Sequence, residues 1–226
     1  MINSIAVPLG KLLFYIYDIV NSYGLSIVVF TILVKLILLP LTIKQTKSMK
    51  QMQDLNPKIK ALQKKYGHDK QKLNEKTIEL YRQHNVNPFA SGCLPILIQL
   101  PVLFALFQVL RLPEVYVFTP ETYEKVGKSF LWIKDLSASS SFSDPISYIL
   151  PILAAVTTYY QSKMVTPKNA EGSQSTMNVV MPLMIGYFSF SFPAGVTLYW
   201  VLSNLFQIVQ QFFGLSRGGT VKEESN

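Results

Sequence analysis

Of the 21 basic residues in this 226-residue chain, one stands deep inside an apolar run: Lys35, near the middle of residues 24–43 (GLSIVVFTILVKLILLPLTI). About twenty consecutive residues of this kind cross a bilayer as a helix. A charge at that depth costs roughly 2.5 to 3.5 kcal/mol on insertion scales, so it is expected to face a bundle interior or a wet cavity rather than lipid. What it can do there is attract carboxylates and polar peptide rather than make or break bonds.

Other polar residues recur in apolar stretches at helical spacing. Thr197, Trp200, Asn204, Gln207 and Gln211 follow one another at steps of 3, 4, 3 and 4, which puts them on one helical face. Thr157, Thr158 and Gln161 share a face in another stretch, Thr31, Lys35 and Thr42 in a third, and a fourth contributes Gln99. Any single Gln or Thr of this kind has a plain explanation, hydrogen bonding between helices. Lys35 adds something that packing does not require. All 13 acidic residues lie outside the five long apolar stretches, so no carboxylate there can neutralise it. Neutral side chains and water are left to solvate it, and a hydrated, positively charged groove follows as an expectation.

The motifs of bond-making chemistry are missing. The chain has no G-x-S-x-G, H-E-x-x-H or G-x-x-x-x-G-K-[ST]. His68 and His84 have no cysteine near and read as surface residues, so no metal and no cofactor are expected. The one cysteine, Cys93, precludes an intrachain disulfide and reads as a packing residue. Catalysis is not expected. The formal charge of +8 could point to nucleic acid, but its location says otherwise. Residues 44–92 hold ten Lys and one Arg against Asp54, Asp69, Glu75 and Glu79, or 11 − 4 = +7, so nearly all of the excess sits in one loop.

The stretches that would carry these residues make an all-α, polytopic membrane protein with five transmembrane helices, in keeping with a hydrophobic content of 49%. Residues 1–23 place Ser4, Lys11, Tyr15, Asp18 and Ser22 on one narrow face, the pattern of an amphipathic helix lying in the extracytoplasmic interface, with a sixth span that tolerates Lys11 and Asp18 as the alternative. The first basic residue, Lys11, falls inside the apolar stretch, so no cleaved secretory signal is expected. Residues 24–43 are the first span. Residues 44–92 form a basic helical hairpin, with Met49, Met52, Ile59, Leu62 and Tyr66 on one face, Asn56 and Pro57 reading as a helix start, Gly67 as its end and Asp69 opening the second helix. A short loop so rich in Lys and Arg stays cytoplasmic.

The second span is 93–112. The loop 113–144 that follows has charge 3 − 5 = −2, with Phe130 and Trp132 as expected interfacial anchors. Residues 145–163 make the third span and 164–176 a cytoplasmic loop. Spans 177–192 and 194–213 are joined by a tight hairpin around Pro193, and 214–226 is a short cytoplasmic tail. Five spans with the basic hairpin inside put the N-terminus outside and the C-terminus in the cytoplasm.

Four strings, in order and covering nearly the whole chain, carry a resemblance: YGLSIVVFTILVKLILLPLTIKQ, HNVNPFASGCLPILIQLPVLFALF, SFLWIKDLS followed by DPISYILPILAAVTTYYQSKM, and FPAGVTLYWVLSNLFQIVQQ. Together they resemble the YidC-type membrane protein insertase family of bacterial cell membranes and their organelle relatives. The resemblance implies a five-span core with an open hydrophilic groove and a cytoplasmic hairpin needed for activity. It also implies small membrane proteins with short translocated tails as clients. It further implies that Lys35 stands where the family usually has arginine, with Gln99, Gln161 and Trp200 as other groove positions and Thr31 and Asn204 beside them. An ammonium is titratable where a guanidinium hardly is, so this substitution touches the permanence of the charge. The implied partners are nascent membrane proteins and the lipid bilayer, with the ribosome and the Sec translocon as further candidates and no specific DNA. Some members have a large extracytoplasmic domain, a lipoprotein signal or a long basic tail; this chain is expected to have none of them, leaving the hairpin for any ribosome contact.

Two other classes compete. A small anion carrier or channel subunit would also keep a polar cavity among helices. A pure scaffold would have no use for an unpaired intramembrane lysine.

Overall fold

The computed structural model describes residues 2–86, 94–140, 144–166 and 173–212. Cys93, the linker 167–172, the tail from 213, and the side chains of Gln99 and Met49 lie outside the described residues. All regular elements described are helical, as the composition of long apolar stretches leads one to expect. They are α1 (Ile2–Val20), α2 (Tyr23–Tyr66), α3 (Lys70–Gln83), α4 (Leu94–Arg111), the short α5 (Pro113–Tyr116) and α6 (Pro120–Lys125), a 3-10 turn (Pro145–Tyr148), α7 (Ile149–Val165), α8 (Ser173–Ser189) and α9 (Ala194–Phe212).

In α1 the polar stripe points directly away from the protein. Ser4, Lys11, Tyr15 and Asp18 are exposed, while Ala6, Gly10, Leu13 and Ile16 on the opposite face are buried against α4 and α2. Gly10 is required there, because a Cβ would collide with the carbonyl oxygen of Tyr116. The same end of the molecule is closed by aromatic rings: Phe118 meets Tyr17 at 4.8 Å and Tyr23 at 5.8 Å between centroids and stacks on Tyr123. By length and composition both Asn3–Val20 and the early part of α2 are able to cross a membrane.

The turn into α2 is two residues long, with Asn21 in the left-handed region at φ 53°. α2 then runs unbroken for 44 residues through Pro40 and Pro57. This corrects the helix start read at Asn56 and Pro57. A proline removes one N–H and frees one carbonyl three or four residues back. Pro57 is exposed, so its ring meets no packed neighbour and the helix continues through it. Leu55, one turn from Met52 and Ile59, is the buried residue of this stretch.

Gly67 does close the helix, and Asp69 caps α3 by accepting from the Lys72 backbone N–H at 3.0 Å. The two helices pack side by side. Lys58 and His84 are joined across them at 2.9 Å, and the other ring nitrogen of His84 bonds the Leu80 carbonyl at 2.9 Å. A carbonyl only accepts, so Nδ1 carries the proton and Nε2 accepts from the Lys58 ammonium.

A single hydrophobic core runs through α1, α2, α4 and α9, with Leu13, Ile27, Phe30, Leu106, Val109, Leu110 and Tyr199 among its buried members. Helix α9 is the hub, packed on α2, α4 and α7. Helix α8 packs closely on α7, where Gly186 faces Ala155, and it leaves Val179, Leu183 and Tyr187 exposed on its outside. Of the two anticipated anchors in the loop before α7, Trp132 is exposed but Phe130 is not a surface anchor. Its ring fills the space that a side chain at Gly24 would need, and it packs on the core.

Candidate functional site

Lys35 follows from its helix position. In α2 the residues Ile27, Phe30, Thr31, Val34 and Lys35 recur at i, i+3, i+4, i+7 and i+8 and are all buried, so the lysine lies on the face that packs inward. It is 4% exposed. Among the described residues it has no ion pair and no hydrogen bond. The Thr31 hydroxyl, one turn away, donates to the Ile27 carbonyl of its own helix at 2.6 Å.

Across α9 the polar residues of the chain have found each other. The Trp200 indole N–H donates to Thr158 Oγ1 at 3.0 Å. The Asn204 amide bonds the hydroxyls of Thr157 and Thr158 at 3.2 and 2.9 Å. One turn further on, Gln161 Nε2 donates to Gln207 Oε1 at 2.6 Å. Both threonine hydroxyls also bond α7 carbonyls, Thr157 to Leu153 at 2.7 Å and Thr158 to Ala154 at 2.6 Å, and Thr158 keeps a lone pair for the Trp200 N–H. The result is a ladder of polar rungs between α7 and α9.

On its other side α9 reaches α2 through Gln210, whose amide donates to Thr42 Oγ1 at 3.4 Å. At the far end of α7, Asn178 Oδ1 on α8 accepts from Ser162 at 2.8 Å and from Thr166 at 2.6 Å. Thr197, first in the α9 stripe, is buried and donates weakly to the Ser189 carbonyl at 3.5 Å.

Of the six residues expected to line a groove, Gln161, Trp200 and Asn204 therefore meet in one seam. Thr31 and Lys35 are buried together on α2 without a described bond to that seam, and the side chain of Gln99 lies outside the described residues. Gln207 and Thr42 are on the stripes but were not in that set of six. Gln210 was on no stripe, although it lies three residues after Gln207 and so fits the same periodicity as Gln211. Burial separates them: Gln210 is buried and Gln211 half-buried. Among the described residues no three His, Cys, Asp or Glu side chains are grouped to hold a metal ion. Among the described residues the arrangement sets a buried lysine on α2 and a row of amides and hydroxyls between α7 and α9, groups able to hydrogen-bond carbonyls and carboxylates.

Residues 15–218 match the family described as 60Kd inner membrane protein. A membrane protein insertase YidC of Caldanaerobacter subterraneus subsp. tengcongensis is 43% identical over 98% of this chain and 99% of its own length. Proteins of the same name from Fusobacterium nucleatum subsp. nucleatum and Clostridium perfringens are 44% and 45% identical, each over 88% of this chain and over 89% and 80% of their own lengths. Matches of this extent and identity leave no part of the hydrophobic core unaccounted for, and the chain belongs to the 60Kd inner membrane protein family, that of the YidC insertases.

Proposed function

We propose that this chain is a membrane protein insertase and chaperone that takes the polar tail of a nascent membrane protein into a positively charged, hydrated groove and releases the apolar segment into lipid. The observation that carries the reading is Lys35, a buried cation with no described partner, in a chain similar from end to end to proteins named as insertases. An ammonium left unpaired inside a membrane bundle is stabilised by any carboxylate or carbonyl that comes to it. Thr31, Lys35, Gln99, Gln161, Trp200 and Asn204 line the groove in this reading. Across an inside-negative membrane the field favours outward movement of a negative charge by about 2.3 kcal/mol per 100 mV, so no nucleotide is needed.

The five spans are the early part of α2, then α4, α7, α8 and α9. The hairpin is cytoplasmic on account of its +7 charge, with the N-terminus outside and the C-terminus inside. Helix α1 lies in the outer interface with its polar stripe in water, a placement supported by that stripe being opposite the buried face. A ribosome contact would use the basic hairpin, since such surfaces bind RNA without sequence preference. The competing anion carrier finds no support, as none of the relatives reported above is named as a carrier or channel.

A photoreactive residue in place of Gln161 or Trp200 is expected to crosslink to a stalled nascent membrane protein. Labelling by small solutes alone, with no nascent-chain adduct, would sink the reading. Deleting residues 51–85 is expected to spare membrane assembly and cripple insertion into proteoliposomes; full activity would make the hairpin dispensable.

A further inference from the structure

The loop before α7 builds a hollow that the insertase reading does not use. Phe130 and Ile133 exchange backbone hydrogen bonds of 2.8 Å, closing a turn that holds Leu131 at φ 53° and pushes Leu131 and Trp132 outward. The carbonyls of Leu136 and Ala138 accept from the N–H groups of Gly195 and Ala194, both at 2.8 Å, so the loop is fastened to the first turn of α9. Between this loop and the start of α7 is an open hollow of about 150 Å³, lined among others by Leu150, Ala194, Trp132, Lys134 and Asp144.

Two features say what fits. The first is the rim: Leu131 is 75% exposed, Trp132 42%, Ile146 47% and Ile149 42%, an apolar and aromatic edge suited to the boundary between headgroups and acyl chains. The second is charge. Lys134 and Asp144 form an ion pair at 2.9 Å, with Lys134 largely exposed and Asp144 mostly sheltered, so the pair contributes little and opens readily. The neighbouring Asp135 is already satisfied by the backbone N–H and hydroxyl of Ser137 at 2.7 and 2.5 Å. Lys134, Asp135 and Asp144 together carry 1 − 2 = −1, which repels an anionic headgroup and suits one that brings its own cation.

We propose that this hollow is a headgroup site for a zwitterionic phospholipid bearing a primary ammonium, with the phosphate on Lys134, the ammonium on Asp144 and the glycerol end over Leu150 and Ala194. The lipid would brace the loop that holds α9 in place. The proposal rests on the reading of α7 and α9 as spans, with their first turns in the outer interface.

The chain has two tryptophans, so Trp200→Phe leaves Trp132 as a single fluorescent reporter. The full-length variant is reconstituted in phosphatidylcholine vesicles containing a small fraction of lipid brominated near the carbonyl end, with an ethanolamine, choline or glycerol headgroup. Quenching is expected to be strongest with phosphatidylethanolamine, corresponding to about fivefold tighter association than with phosphatidylcholine, the scale of one partly exposed charge-assisted hydrogen bond. Phosphatidylglycerol should be weakest. Asp144→Asn should erase the ethanolamine preference, and so should the exchanged pair Lys134→Asp with Asp144→Lys, which keeps an ion pair in the loop. Equal quenching by all three lipids, or an unchanged preference in the exchanged pair, would overturn the headgroup site and leave the placement of the spans intact. No quenching by any of them would remove Trp132 from the interface and overturn both.

Discussion

The seam between α7 and α9 and the buried stretch of α2 around Lys35 are made of similar material, polar residues at helical spacing in apolar helices, yet they end differently. In the seam every polar group named has a partner across the interface: Trp200 on Thr158, Asn204 on both threonines, Gln161 on Gln207. On α2 the Thr31 hydroxyl turns back to its own helix, and Lys35 is buried without a described partner. Groups that satisfy one another hold helices together. A charge that is not satisfied is either a flaw or a receptor; the function proposed above takes Lys35, on the inward face of a helix packed against the hub α9, as a receptor, and the variants below separate the two.

The sharpest way to break this contrast is to reverse the charge. Lys35→Glu is expected to abolish insertion of a short-tailed substrate into proteoliposomes while helicity and membrane assembly persist, and Lys35→Arg is expected to retain activity. The Glu variant would repel the carboxylates that the lysine attracts. If it inserts normally, Lys35 belongs with the seam as a structural residue.

A second test acts on the seam from its strongest rung. Asn204→Leu removes an amide bonded to two hydroxyls at once, and unfolding in a bilayer-mimetic should report a loss of about 1 to 2 kcal/mol, near the upper end for interhelical hydrogen bonds in membranes. Insertion should fall far less than in Lys35→Glu. A loss of activity as complete as that of the Glu variant, with stability unchanged, would make Asn204 a binding residue first and a rung second.

These contrasts also mark how far the sequence could be read. The stripes on α7 and α9 and the inward face of Lys35 were legible, because period and burial go together in a helix. Pairing was not: nothing in the spacing of Thr157, Thr158 and Gln161 says whether they face α9, water or a client. Gln210 and Gln211 both fit the stripe to within the tolerance of 3.6 residues per turn, so only packing could choose between them. The long helix α2 was hidden by Asn56 and Pro57, whose local signal for a helix start is outweighed by a helix already propagating through them. Phe130 read as an anchor because aromatic residues in loops next to spans often are; the vacancy at Gly24 that receives it lies over a hundred residues away in the chain.

A smaller effect separates two readings of Gln161. Its bond to Gln207 is short, 2.6 Å, so Gln161→Leu and Gln207→Leu in a double-mutant cycle should couple by about 0.6 kcal/mol, the mean for such pairs in membranes. If Gln161 serves only the seam, the two single variants lose insertion equally, since either one breaks the rung. If it also meets the client, as proposed, Gln161→Leu is the worse of the two at equal stability.

The smallest effect is expected where α9 touches α2. Gln210 donates to Thr42 at 3.4 Å, at the limit of a hydrogen bond, and the Thr42 hydroxyl itself donates to the Leu39 carbonyl at 3.0 Å. Gln210→Leu should therefore cost no more than a few tenths of a kcal/mol, well under the Gln161 rung, because the threonine keeps its own donor satisfied when the amide is gone. That weakness has a consequence for the contrast between the two regions. In its polar contacts α9 is latched more firmly to α7 than to α2, so in the proposed function a chain entering beside Lys35 breaks fewer hydrogen bonds by parting α2 from α9 than by parting α7 from α9. A disulfide between cysteines placed at Thr42 and Gln210, with Cys93 replaced by serine, should then block insertion under oxidising conditions and restore it on reduction. The same crosslink made between positions 161 and 207 should leave insertion largely intact, and the reverse outcome would assign the opening to the seam.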